Sequence, residues 1–152
     1  MNLSEHGQRA YAGARGAGWN PTDAYRFAVA DEHLGRAEFN DEIEFGWGPD
    51  ENFEIEGFSS LPGAEAELRE HLADGNWQVE SCAARVPDGE RLGSVGGVIT
   101  HVDDWLQHRW IEQTLAWEAG VLPPELQAPF TREVEHATER AAYRGAAGHE
   151  AG

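Results

Sequence analysis

The chain has 152 residues, 40 % of them hydrophobic and 10 % aromatic, with six Trp and a formal charge of −17. That length suits one domain, and that much apolar surface supports a packed core over a disordered chain. The charge speaks against direct binding of nucleic acid or an anionic membrane, because both require Lys and Arg against phosphate, and no apolar run approaches the roughly 20 residues of a membrane span.

Leu3 to Arg15 carries a weak helical pattern, undercut by Gly13, Gly16 and Gly18, and is expected to fray after Ala14. It has no apolar stretch of the secretory kind. Asn20-Pro21-Thr22-Asp23 is a helix start: Asn20 caps, Pro21 fits the first turn, and Asp23 sits at the positive end of the dipole. Ala24, Phe27, Ala28 and Leu34 give this helix an apolar stripe, and Gly35 is its expected stop.

Phe39 to Trp47 then alternates. Phe39, Ile43, Phe45 and Trp47 share one parity; Glu42 and Glu44 share the other. This predicts a half-buried strand with a regular carboxylate row. Gly48-Pro49-Asp50 reads as a turn, and Phe53 and Ile55 alternate with Glu54 and Glu56 in an expected returning strand. A short helix follows over Gly63 to Ala73. Trp77 to Val86 and Arg91 to Thr100, joined by Pro87-Asp88-Gly89-Glu90, read as a second hairpin. Gly93, Gly96 and Gly97 point to a bulge or a close backbone approach in its second arm.

Asp103 or Asp104 begins the strongest helix, which runs to Ala119 with Trp105, Leu106, Trp110, Ile111, Leu115, Ala116 and Trp117 along it and Gly120 after it. Pro123 and Pro124 make a linker, and Pro129 to Tyr143 reads as a last helix. The expected fold is α+β: two short antiparallel hairpins packed with four to five helices around a Trp-rich central helix, with a mostly α arrangement as the alternative. Residues 1–144 are expected to form a single globular domain, and 145–152 a disordered tail.

The charge is unevenly distributed. Met1 to Arg36 is neutral, with four Arg against four acids, whereas Ala37 to Leu68 holds ten carboxylates and no Arg. No Lys occurs anywhere in the chain. A salt-loving host would spread acidity evenly, and GC-rich coding explains the missing Lys but not the clustering. The acidic segment is interleaved with Phe39, Ile43, Phe45, Trp47, Phe53, Ile55 and Phe58, which can pin its charges to a core. Glu42, Glu44, Asp50, Glu51, Glu54 and Glu56, with Trp47 beside them, form the expected binding face. Its expected partner is a basic protein surface. Trp47 and Trp77 flank this region, as interface anchors or, more commonly for Trp, as core.

Other chemistry is sparse. His101, Asp104 and His108 offer a His and carboxylate set for a divalent metal, Asp104 and His108 lying four apart on one helix face. No paired-Cys or His-Glu-x-x-His motif supports it, and Asp104 reads more simply as a helix cap. The single Cys82 excludes an intrachain disulfide, suits a reducing cytoplasm, and reads as buried core rather than nucleophile. Asp50, Glu51, Glu54 and Glu56 lack the spacing of a calcium loop. No cofactor is expected.

Three stretches together resemble small acidic proteins without an assigned activity that are encoded by actinobacterial phages and plasmids. They are Phe45-Gly-Trp47-Gly-Pro-Asp50-Glu51, Leu92-Gly-Ser-Val-Gly-Gly-Val98 and the aromatic helix from Asp103 to Ala119. The resemblance implies a mobile-element context, where small acidic proteins include inhibitors that imitate the charge of DNA. It carries no functional residue over. The expected function is therefore a non-enzymatic acidic binder that occupies the nucleic-acid-binding surface of a host protein. A small metal-dependent enzyme on His101, Asp104 and His108, and a phage or halophile assembly protein without an active site, are the competing expectations.

Overall fold

The computed structural model describes residues 3–102 and 104–126. The expected helix over Pro129 to Tyr143 and the tail lie outside them. In chain order the elements are α1 (Glu5–Gly16), α2 (Pro21–Phe39), β1 (Glu44–Pro49), α3 (Ala64–Asp74), β2 (Trp77–Arg85), β3 (Arg91–His101), α4 (Trp105–Glu118) and a 3-10 turn at Pro124–Leu126. The α+β class is as expected.

Local chemistry explains the helix starts. Ser4 caps α1 through the Gly7 N–H, and Asn20 caps α2 by accepting from the Asp23 N–H at 2.8 Å. The Asp104 carboxylate accepts from the Gln107 N–H at 3.1 Å and caps α4. Gly75, with φ 78°, ends α3. Gly35 does not end α2. The helix runs on to Phe39 because Leu34 and Ala37, either side of Gly35, are both buried in the main core, which offsets the roughly 1 kcal/mol cost of a helical glycine.

The sheet has three antiparallel strands in the order β1-β2-β3. The β2–β3 hairpin forms as predicted. The first hairpin does not: β1 pairs with β2, Trp47 opposite Cys82, while residues 50–63 form turns and irregular chain. The predicted strand from Phe39 begins only at Glu44, so Glu42 precedes the ladder and the Glu42–Glu44 row is not formed.

The sheet is covered on both faces. Alternation along β2 sends Cys82 and Ala84 towards α2 and α4, where they pack with Leu34, Ile43, Val98, Ile111 and Leu115. The other parity, Trp77 and Val79, packs with Ile99 against Leu68 and Leu72 of α3. α1 lies against α2, burying Ala10, Ala14, Ala24, Phe27 and Ala28. The α4 helix joins these layers: Gln113 is fully buried and donates to the Phe27 carbonyl oxygen at 3.1 Å. Trp105, one of the apolar residues along α4, is 53 % exposed.

Candidate functional site

The acidic segment divides into structural and presented carboxylates. Glu44 and Arg85 are directly opposite on β1 and β2 and form an ion pair. Asp50 ties the chain after β1 to the hairpin. Its N–H donates to the Val79 carbonyl oxygen at 3.1 Å, its Oδ2 accepts from the Gly97 N–H at 2.7 Å, and its Oδ1 accepts from the Asn52 N–H at 3.0 Å. This contact explains the glycines of β3. The register slips between Glu80 and Cys82, which face Val98 and Val95, so β3 bulges at Gly96 and Gly97. Gly97 has φ 65°, and a Cβ on Gly96 would stand 2.9 Å from Asp50 Oδ2.

Beyond Asp50, the side chains of Phe53, Ile55 and Phe58 join the Leu68–Ile99 cluster. Glu51 before them and Glu54 and Glu56 between them are exposed, as is Glu42. Their alternation was legible; the partner of Phe53 and Ile55 is the α3 core rather than a ladder. Glu56 lies 4.0 Å from Arg69, which also pairs with Glu65 at 3.1 Å, and all three groups are solvent-accessible. Such a pair is weak.

A second set of carboxylates, only one of them from the acidic segment, meets inside the molecule. Arg109 on α4 donates from Nε to Asp31, from Nη2 to Glu38 at 2.6 Å and from Nη1 to Glu112 at 3.0 Å. Its side chain is 16 % exposed and that of Asp31 only 3 %. Burial by itself would lower the Arg109 pKa; the hydrogen bonds and charges of Glu38 and Asp31 outweigh it and raise the value, which locks the guanidinium in its charged form. His6 on α1 also pairs with Asp31, so α1, α2 and α4 share one charged junction. Sequence reasoning missed this junction. Its signal was a carboxylate on an apolar stripe: Asp31 falls four residues after Phe27 and three after Ala28.

Trp47 connects this junction to the sheet. Its indole N–H donates to Glu112 Oε2 at 2.8 Å, and its ring meets His108 edge-on at 4.6 Å. His108 and Asp104 are adjacent as their spacing requires, but through the backbone: His108 Nδ1 lies 2.6 Å from the Asp104 carbonyl oxygen. His108 Nε2 faces Glu80 Oε1 at 2.7 Å and Thr100 Oγ1 at 3.3 Å. His101 stacks edge-on against Trp77. The Asp104 carboxylate is engaged at the α4 cap, and among the described residues no group of three or more His, Cys, Asp or Glu is placed to hold a metal ion.

These elements enclose two open clefts. One, of about 470 Å³, is lined by Trp47, Val102, Trp105, His108, Arg109 and Glu112. The other, of about 500 Å³, lies between the start of α1 and the end of α2, beside the 87 % exposed Phe39. Cys82 belongs to neither lining. Burial, reinforced by Glu112 and Glu80, pushes its thiol up to about 12, which removes the thiolate a nucleophile needs.

No protein-family model, curated protein or solved structure matches the chain. No helix among the described residues is long and apolar enough to cross a membrane.

Proposed function

We propose that the protein is a non-enzymatic acidic binder that occupies a basic, nucleic-acid-binding surface of another protein, in the manner of a DNA-mimicking inhibitor from a mobile element. The observation that carries this reading is the anchored loop after β1. Phe53, Ile55 and Phe58 hold it against the α3 core while Glu51, Glu54 and Glu56 point to solvent. Charges fixed in place before binding lose less entropy on binding than charges on a free tail. The surrounding field, −17 over the chain, accelerates encounter with a cationic surface.

The residues carrying this function are narrower than the sequence suggests. Glu44 already faces Arg85 at the surface, and Asp50 is bonded to the β3 bulge. The binding set is Glu42, Glu51, Glu54 and Glu56. The test changes these four to Gln and compares capture of basic nucleic-acid-binding domains by immobilised parent and variant. The expected result is capture by the parent, release by duplex DNA or by raised salt, and loss of capture in the variant. Equal capture by both forms, or capture that duplex DNA leaves undisturbed, removes the DNA-mimicking role.

A further inference from the structure

The cleft between α1 and α2, and the exposed ring beside it, lie outside the acidic loop. We propose that Phe39 and the recess over Gly35 form a self-complementary contact, through which two copies of the chain pair about a two-fold axis. This inference does not depend on the acidic-binder reading.

The knob and the hole sit on one helix. Phe39 ends α2 and, at 87 %, is the most exposed large apolar side chain among the described residues. Gly35 lies four residues before it on the same helix face, and both line the cleft of about 500 Å³ between the end of α2 and the start of α1. Apart from its own helix backbone, no atom among the described residues lies within 4 Å of where a Gly35 Cβ would stand. The glycines of α1 differ: a Cβ on Gly7 would strike Glu32, and one on Gly13 the Trp105 ring. Those two are explained inside one chain. Gly35 is not, since a helix interior favours almost any other residue over glycine. A close approach from outside the chain supplies the reason. Two α2 helices crossing antiparallel on a two-fold axis set each Phe39 over the second copy's Gly35, because the two positions exchange under that rotation.

Charge permits pairing at this place. Up to Arg36 the chain has four Arg against four acids, and after it seven Arg against twenty-four acids. The recess is built from the balanced part. Within its lining Arg36 offsets Glu32, which also accepts from the Ser4 N–H, and His6 is turned to Asp31. An aromatic ring therefore enters without burying an unbalanced charge. What opposes the pair is the rest of each molecule: two chains of −17 repel, and added salt screens that repulsion. The contact consists of two rings and the turns beside them, so it belongs to the weak class of interfaces.

Sedimentation equilibrium of the full chain measures the pairing directly. The expected result is a mass that rises with concentration from that of one chain towards that of two and stops there. Raised salt should strengthen it, opposite in sign to its effect on capture of a cationic partner. Phe39→Ser removes the knob and Gly35→Leu fills the hole; each should weaken pairing at least about tenfold, as loss of a central aromatic contact does. Gly35→Leu should also raise the melting temperature of the single chain by improving the helix, which separates loss of pairing from loss of fold. In a mixture of ¹³C-labelled and unlabelled chains, intermolecular NOEs should connect the Phe39 ring with the Gly35 α-protons. Four results each overturn the contact. They are a single-chain mass at about 1 mM protein in about 0.5 M NaCl, where repulsion is screened; a mass that climbs past two chains; pairing of unchanged strength in either variant; and a paired sample without those NOEs.

Discussion

The carboxylates around Arg109 and those of the loop after β1 are the same chemical groups put to opposite uses. Asp31, Glu38 and Glu112 converge on one guanidinium shared by α2 and α4. Glu51, Glu54 and Glu56 stand exposed, and among the described residues their ion-pair approach is the accessible Glu56–Arg69 one. The difference lies in what each group would lose alone. Asp31, stripped of Arg109, would be a charge out of reach of solvent; Glu54 loses nothing because water already solvates it. An acidic composition is therefore not an acidic surface, and a carboxylate count says little until its partners are known.

The sharpest way to break the comparison is Arg109→Met. It leaves Asp31 buried with His6 as its remaining charged partner and should cost about 3–5 kcal/mol, the usual result of removing one member of a buried ion pair. Urea denaturation measures it; a loss below about 1 kcal/mol would mean the junction is well solvated. Asp50 is the intermediate case, an acid from the acidic segment doing structural work. Asp50→Ala removes two acceptors for backbone N–H groups and should cost about 1–2 kcal/mol, most of it at the part-buried Gly97 contact, with Asn restoring some of it. Equal stability of Asp50→Ala and the parent would return Asp50 to the proposed binding face.

A third effect appears only at alkaline pH. The buried thiol of Cys82 is raised from 9.0 to about 12, so folding favours its protonated form. Its contribution is fully present below pH 9 and is lost progressively as pH rises from about 9 towards 12. Stability should then fall more steeply over that window in the parent than in Cys82→Ala; parallel curves would refute burial of the thiol. The smallest effect belongs to the loop. Changing Glu51, Glu54 and Glu56 to Gln should leave stability within about ±0.5 kcal/mol, because no buried charge loses a partner. A large loss on thermal or urea melting would show that the loop acids support the fold and blur the contrast with Arg109.

Much of the scaffold was readable from local chemistry. The Asn20 and Asp104 caps, the β2–β3 hairpin and the bulge at Gly96 and Gly97 all follow from signals within a few residues of where they act. The inward and outward parity of residues 53–56 was also legible. The inferred partner of that stretch was not, because the same alternation serves a strand or an anchored loop. The exposure of Trp105 was not legible for a related reason: apolar residues cover so much of α4 that periodicity cannot say which of its Trp faces solvent.

By itself, then, the sequence determined the α+β class, the main helices, the hairpin and the concentration of carboxylates between Ala37 and Leu68. Only the tertiary structure decided that β1 pairs with β2, that Asp50 is bonded to the β3 bulge, and that a single arginine gathers Asp31, Glu38 and Glu112. The reason is range. Caps, turns and periodic burial act over a few residues, whereas Arg109 reaches Glu38 and Asp31 across 71 and 78 positions of the chain. Pairing over such distances is settled by how α2 and α4 pack on the sheet, and that packing determines which of these acids are drawn inside and which remain on the surface.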